Sequence, residues 1–343
     1  MKEHKLTTLT FTNSHRNQTM THAIRIHEAG GADQLSFDEV TVGDPGPGQV
    51  KVRQTAIGLN FIDVYMRSGM YPLPDMPAVL GMEAAGVVET LGEGVEGLSE
   101  GDRVAYCMVL GAYAQKRLIA AEKLIKLPDN IEDQTAAAMM LKGLTAHYLL
   151  FRTYPVQPGD NILVLAAAGG VGLILCQWAK HLGANVIGCV GSEEKAELAR
   201  ANGADHTILY RNEDIAERVR EITNGEGVAV SYDSIGQSTF ESSLNSLKPF
   251  GVMVSYGNAS GPVEPFSPGI LAPKGSLYVT RPTLATHTAT RELLVEGANR
   301  LLDVVSRGIV KINVNHTRPL SETAQAHRDL ENRATTGSTV LIP

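Results

Sequence analysis

The stretch NILVLAAAGGVGLILCQWAKHLG, from Asn161 to Gly183, most restricts what this chain can fold into. An apolar run of strand length stops at a cluster of small residues, and an apolar segment of helical length follows at once. A strand that turns directly into a helix is half of a βαβ unit, and such units belong to parallel sheets. The rhythm then continues. NVIGCV leads into SEEKAELARANG, and HTILY, VAVSYD, GVMVSYG and SLYVTR read as further strands. Helix-like stretches such as EDIAERVREIT lie between several of them. This alternation predicts a doubly wound parallel sheet.

The chain before that point has another rhythm. From Thr21 to about Ala121, short apolar or alternating runs (HAIRI, QVKVRQTAI, AAGVVETLG, DRVAYCM) are punctuated by GDPGPGQ and GEGVEG. These predict a compact antiparallel β unit. AAAMMLKGLTAHYLLF has helical length and periodicity and links the two halves. After about Thr290, two helical stretches flank IVKINVN, and a last apolar run, STVLIP, is expected to return to the first unit. A length of 343 residues suits two domains. Residues 1–19 lack apolar periodicity and are expected to be a flexible extension or the product of a start codon placed too early. No run of eighteen apolar residues occurs, so no membrane span is expected. A net charge of −7 argues against nucleic acid as the main partner. Cys107, Cys176 and Cys189 are dispersed, which fits reduced thiols and a cytoplasmic location.

The small-residue cluster AAAGGVG, Ala166 to Gly172, resembles a dinucleotide loop whose first glycine is Ala167. In that frame Gly169 lets the backbone approach a pyrophosphate, and Gly172 lets helix and strand pack closely. The helix N-terminus supplies N–H groups and the positive end of its dipole. Ala167 is tolerable if that position does not need a positive φ. An NAD-specific unit ends its second strand with Asp or Glu. Here Gly191 and Ser192 take that place, with Lys195 close behind. Small residues leave room for a 2′-phosphate and a lysine neutralises it, so NADPH is expected. Glu193 and Glu194 leave another reading open, as first-turn acids beside a solvated lysine.

AIGLNFIDVYMRSGMYP, GMEAAGVVETLGEGV, GDRVAY, LKGLTAHYLL, YDSIG, GSLYVTRP and ENRATTGSTVLIP, taken with the glycine loop, resemble the zinc-free quinone oxidoreductase branch of the medium-chain dehydrogenase/reductase superfamily, the zeta-crystallin type. The resemblance runs from Ala23 to Pro343 and implies a GroES-like β domain beside a Rossmann domain. It divides the chain into 20–145 with 290–343 for the catalytic domain and 146–289 for the cofactor domain. Where the zinc-dependent branch carries a Cys and a His ligand, this chain has Asn60 and Met82. An amide and a thioether are poor zinc donors, so no metal is expected. The resemblance also implies a homodimer. GSLYVTRP is expected to be an edge strand of the parallel sheet, and a second copy would cover it.

By resemblance, Phe61, Ile62, Asp63, Val64 and Tyr65 line the cofactor, with Asn60 and Tyr65 nearest the chemistry. Thr145 and Tyr148 approach from the domain junction, and Gly169, Gly170 and Val171 meet the pyrophosphate. Gly191, Ser192, Lys195 and Tyr210 surround the adenosine and its 2′-phosphate. Ile235, Tyr256, Gly257, Val279 and Arg281 approach the ribose and nicotinamide, and Arg333 closes the site from the tail. The residues allow structural roles as well: Phe61, Tyr65, Tyr256 and Val279 as packing, Tyr210 as a strand-end aromatic, and Asp63 as a hydrogen-bond acceptor. Arg333 is otherwise a cation at a helix C-terminus. Glu83 is expected to support the site, and Lys142 either snorkels or makes a polar contact in the cleft. Without a metal Lewis acid, alcohol oxidation lacks an alkoxide stabiliser. A quinone or an enone is already electrophilic, and its reduction needs mostly positioning. The expected activity is NADPH-dependent quinone reduction by hydride or electron transfer without zinc or flavin. Enone or alkenal reduction is the alternative, and an NADPH-binding structural or RNA-contacting protein is the alternative of another class.

Overall fold

The computed structural model describes residues 19–343. The first strand, β1, Thr19–Ile26, already includes Thr19; the rest of the expected N-terminal extension lies outside the described residues. β1 pairs antiparallel with β2, Ser36–Val42. β3, Gln49–Gly58, runs into the short helix α1, Phe61–Arg67. β4, Ala78–Val79, joins β1. β5, Glu83–Leu91, β6, Arg103–Cys107, β7, Lys116–Ala120, and β8, Ile125–Lys126, complete the antiparallel unit around β3. The helix that links the halves is α2, Asp133–Tyr148.

Strand and helix then alternate: β9, Asn161–Leu165, α3, Gly170–His181, β10, Asn185–Val190, α4, Glu193–Ala201, and β11, His206–Leu209. α5, Ile215–Ile222, β12, Val228–Asp233, α6, Phe240–Asn245, β13, Leu247–Ser255, and β14, Tyr278–Thr280, follow. All pairings in this sheet are parallel, in the order β11-β10-β9-β12-β13-β14. That is the doubly wound order, with its topological switch point between β9 and β12. β14 is an edge strand, as the sequence suggests.

α7, Leu284–His287, and α8, Arg291–Ser306, lead back toward the β unit. β15, Val314–Pro319, α9, Thr323–Glu331, and β16, Ser338–Ile342, close the chain. β16 pairs antiparallel with β3, so the tail completes the first sheet. α2 is the shared wall. It packs on β3 and β5 on one side and on α3 and α8 on the other. Such a helix must be apolar nearly all round, which explains its run of buried alanines and methionines, with Leu144 beside them. Gly143 and Gly297 let α2 and α8 approach; a Cβ on Gly143 would lie 2.4 Å from a methyl of Leu301.

Candidate active site

One large cleft, about 1110 Å³, lies between the β unit and the carboxyl ends of the parallel strands. Its inner end is built from β3 and α1. Asn60 is the N-cap of α1 in extended backbone (φ −140°, ψ 157°). Its Nδ2 donates to Glu83 Oε1 at 2.8 Å. Glu83 is fully buried and also accepts from Lys142 Nζ at 3.0 Å and from the Leu141 N–H at 2.6 Å. Lys142 Nζ further donates to the Leu59 carbonyl at 3.1 Å. The interior cation of α2 is therefore a polar contact of the cleft, and Glu83 fixes the Asn60 amide.

Phe61, Ile62 and Tyr65 share the cleft face of α1, while Asp63 and Val64 turn away from it. Asp63 Oδ2 accepts from the Asn60 N–H at 2.9 Å and from Tyr113 Oη at 2.8 Å, closing the first turn of α1. Its other oxygen has no partner. Burial, reinforced by the charge of Glu83, pushes this carboxyl up to about 7 against the two hydrogen bonds. Beyond Tyr113, His327 continues the buried chain. Its Nε2 lies 3.1 Å from Tyr113 Oη, and its Nδ1 lies 3.2 Å from Arg67 Nη1. Burial, and then Arg67, push His327 down to about 3, so the ring is neutral. An arginine only donates, so Nδ1 accepts and Nε2 carries the hydrogen toward Tyr113.

Tyr65 Oη accepts from the Asn258 N–H at 3.0 Å, across the cleft, and burial pushes this phenol up to about 12. Thr145 and Tyr148 face the cleft from α2, with Tyr148 stacked on His287. Ile235, Tyr256 and Gly257 face it from the ends of β12 and β13. Asp233 fixes that wall: its Oδ1 accepts the N–H groups of Ile235 (2.8 Å) and Gly236 (3.0 Å). Arg281 lines the cleft and donates to the Ser255 carbonyl at 3.1 Å and to Tyr71 Oη at 3.3 Å. Val279 lies off the cleft. It packs with the apolar residues on one face of the parallel sheet. Asp63, Val64 and Val279 are thus corrected from lining residues to structural ones.

At the middle of the cleft, the positive φ of the glycine loop falls on Ala166 (+53°), one residue before the replaced glycine. Ala167 is buried and needs no such conformation, which is why alanine serves there. A Cβ on Gly172 would meet the Ala166 carbonyl at 2.3 Å. Gly169, Gly170 and Val171 line the cleft at the start of α3, where first-turn N–H groups lack intrahelical partners. From the tail, the Gly337 N–H donates to the Ala168 carbonyl at 3.1 Å.

The outer end gathers Gly191, Ser192, Lys195, Tyr210 and Arg333. Ser192 caps α4, its Oγ accepting from the Lys195 N–H at 3.4 Å. Lys195 Nζ donates to the Arg333 carbonyl at 2.9 Å, and Arg333 Nη1 reaches Tyr210 Oη at 3.4 Å. A Cβ on Gly191 would lie 2.8 Å from Tyr210 Oη. Arg333 has φ +57° and follows α9 in a Schellman turn: Ala334 N–H to Asp329 O at 3.0 Å, Arg333 N–H to Leu330 O at 3.1 Å. Glycine is usual at that position, and another residue costs about 1–2 kcal/mol there. Sequence reasoning missed Tyr71, Met108, Arg211, Asn258 and Gly337. Tyr71 was within reach, six residues after Tyr65; Asn258 acts through its main chain, which its residue type does not announce.

A β unit closed over the switch point of a doubly wound sheet, with the tail strand returning to the first unit, is the architecture of the medium-chain dehydrogenases/reductases. Residues 46–129 match the alcohol dehydrogenase GroES-like domain, and residues 170–296 match the zinc-binding dehydrogenase family. A quinone oxidoreductase of Pseudomonas aeruginosa is 51% identical over 94% of this chain and 100% of its own length. A 2-haloacrylate reductase of a Burkholderia species is 50% identical over 94% and 99%. The structure of Escherichia coli quinone oxidoreductase complexed with NADPH is 49% identical, covers 94% of this chain and all of its own, and superposes with a TM-score of 0.92. The chain belongs to the medium-chain dehydrogenase/reductase family, among its quinone oxidoreductases.

The zinc of that second family's description does not fit the donors here. The amide of Asn60 is held by Glu83, and Met82 offers a buried thioether. Among the described residues, no three His, Cys, Asp or Glu side chains gather as a metal site. NADPH fits better: a glycine loop at a helix N-terminus, a cationic outer end, and an aromatic inner end.

The buried chain gives a pH signature. His327 binds protons less readily folded (about 3) than unfolded (6.5), so its contribution to stability is lost as pH falls from 6.5 toward 3. Asp63 is the reverse: raised to about 7 from 3.8, its contribution is lost as pH rises through that window. In His327→Gln the first slope disappears. Between pH 7 and pH 5 the variant should gain about 2 kcal/mol relative to the wild type. Urea unfolding at both pH values measures this, and an unchanged difference would refute the neutral His327.

Proposed function

We propose that this chain reduces quinones with NADPH bound along the cleft. The observation that carries the reading is the outer end, where Ser192, Lys195, Tyr210 and Arg333 gather in a chain closely similar to an NADPH-bound quinone oxidoreductase. The 2′-phosphate is assigned to that cluster, the pyrophosphate to Gly169–Val171, and the nicotinamide to the wall formed by Thr145, Tyr148, Ile235, Tyr256 and Gly257. The catalytic unit is residues 20–145 with 290–343, closing on a cofactor unit of residues 146–289.

When bound, NADPH supplies the hydride, and the chain's part is to place the acceptor and steady the charge that develops on it. Tyr65 Oη already accepts from Asn258, which leaves its own hydrogen for an acceptor oxygen. A phenol pushed to about 12 donates that hydrogen bond and keeps its proton. Water in the cleft then protonates the reduced quinone. Asn60, with one amide hydrogen committed to Glu83, offers its remaining polar atoms to the same oxygen or to the nicotinamide ribose. A second reading, reduction of an activated C=C bond, draws on the similarity to a 2-haloacrylate reductase; it uses the same hydride geometry.

The edge strand β14 suits a homodimer. Tyr278 is 60% exposed on it, and Phe250 on the neighbouring β13 is 68% exposed. Three buried free thiols suit the cytoplasm, to which we assign the protein.

NADPH should be preferred to NADH, with quinones turned over faster than simple alcohols in a side-by-side panel. Lys195→Glu should weaken NADPH binding by roughly tenfold or more, as expected for a lost charge-assisted contact, and leave NADH nearly untouched. Equal losses for both cofactors would remove Lys195 from the phosphate site. In the same kinetics, Tyr65→Phe should lower quinone turnover roughly twofold to tenfold at unchanged NADPH affinity; a thousandfold loss would make Tyr65 an obligatory acid. Light scattering at micromolar concentration should return a dimer mass, and a monomer mass would reject that assembly.

A further inference from the structure

The C-terminal turn of α9 carries two residues that local rules disfavour. Glu331 puts a carboxylate at the negative end of the helix dipole. Arg333 puts a branched-out side chain at a left-handed backbone position that glycine usually fills. Neither choice helps the helix, so each asks what else it serves.

Glu331 answers first. It forms a two-pronged pair with Arg67, Nη2 to Oε1 at 2.7 Å and Nη1 to Oε2 at 2.9 Å. The Arg67 side chain is only 3% exposed and ends α1, the helix that carries Phe61 and Tyr65. Its Nε donates to the Gly30 carbonyl at 3.1 Å, and Nη1 also meets His327. Through His327, Tyr113 and Asp63, the same contact reaches the N-terminal turn of α1. Both ends of α1 are therefore tied to α9. A planar guanidinium held by a carboxylate, an imidazole and a carbonyl has one geometry, which a point charge would not impose.

Arg333 lies two residues beyond Glu331, at the outer end of the cleft. Its carbonyl is held by Lys195 of α4. The turn is thus clamped from two sides, by Arg67 of α1 and by Lys195 of α4. We propose that the Arg67–Glu331 pair is a positioning device for Arg333, and that it sets the preference for a dinucleotide bearing a 2′-phosphate. The inference rests on the reading that Arg333 meets that phosphate. Arg67 and Glu331 touch neither cofactor nor acceptor; they act through the turn.

The test is steady-state kinetics with NADPH and with NADH on Glu331→Gln, Arg67→Lys, Arg333→Gly, and the Glu331→Gln/Arg333→Gly double variant. Glu331→Gln keeps the side-chain shape at a partly exposed position, so the fold survives even if Arg67→Lys does not. In Glu331→Gln the KM for NADPH should rise about fivefold with kcat within about twofold, and the KM for NADH should hold. Arg333→Gly should raise the melting temperature while lowering the cofactor preference to the part that Lys195 supplies, and Glu331→Gln should add nothing in that background. An unchanged NADPH/NADH ratio in Glu331→Gln, an equal rise for both cofactors, or a full additive effect in the double variant would overturn the positioning role. An Arg333→Gly enzyme with its preference intact would remove the phosphate reading, and this inference with it.

Discussion

Glu83 is the group on which the inner end of the cleft depends. Burying a carboxylate costs several kcal/mol unless an opposite charge and further donors meet it. Here the charge comes from Lys142 of α2, and the donors are the Leu141 N–H and the Asn60 amide. The three partners come from a helix, a helix cap and the main chain, so one carboxylate sets the spacing of β5, α2 and α1. Its neighbours are chosen to leave room. A Cβ on Gly58 would lie 2.3 Å from Glu83 Oε1 and 2.2 Å from the Ala137 carbonyl. The pair registers the elements more than it stabilises them, because removing either partner strands the other in the core.

From that anchor the cleft is closed by few bonds. Tyr65 reaches the main chain of Asn258, Lys195 reaches the carbonyl of Arg333, and Gly337 reaches the carbonyl of Ala168. Two of the three involve the tail. β16 is hydrogen-bonded to β3, whose next turn presents Asn60, and the residue before β16 docks on the glycine loop. A single strand thus fixes both the acceptor side and the phosphate side. This is why the last residues of the chain cannot be read as an appendage to the second domain.

Much of this was legible in the sequence because periodicity reports burial. The parallel sheet followed from alternating strands and helices, and the shared helix followed from its length and apolar periodicity. The edge position of β14, expected together with the family's homodimer, is found in the sheet. What was not legible has physical causes. Along α1 a one-residue step turns a side chain by about 100°, so a run such as Phe61–Tyr65 cannot all face one cleft; Asp63 and Val64 face the core. Val279 sits inside the edge strand and packs with the apolar face of the sheet, whereas Arg281 lies just past the strand end and reaches the cleft. The loop moved its positive φ to Ala166, a choice made by the turn and invisible in the letters. The Schellman turn at Arg333 is similarly silent, since the usual signal would be a glycine.

The frame also bears on how widely the site accepts substrates. Asn60 and Tyr65 are held by bonds to Glu83 and Asn258 that do not depend on the acceptor. Around them the cleft pairs apolar walls, among them Phe61 and Ile62, with the Tyr71 hydroxyl and the Arg281 guanidinium, which are already bonded to each other. Apolar walls discriminate weakly, about 1–3 kcal/mol for a methylene, whereas a committed polar pair rejects much more strongly. In the proposed mode Tyr65 donates without surrendering its proton, and it then asks of the acceptor only an oxygen that gains electron density. A quinone carbonyl meets that condition, and so does the carbonyl or carboxylate conjugated to an activated double bond. A quinone oxidoreductase and a 2-haloacrylate reductase are similar to this chain at 51% and 50% identity, which fits a frame whose demands either kind of acceptor could meet.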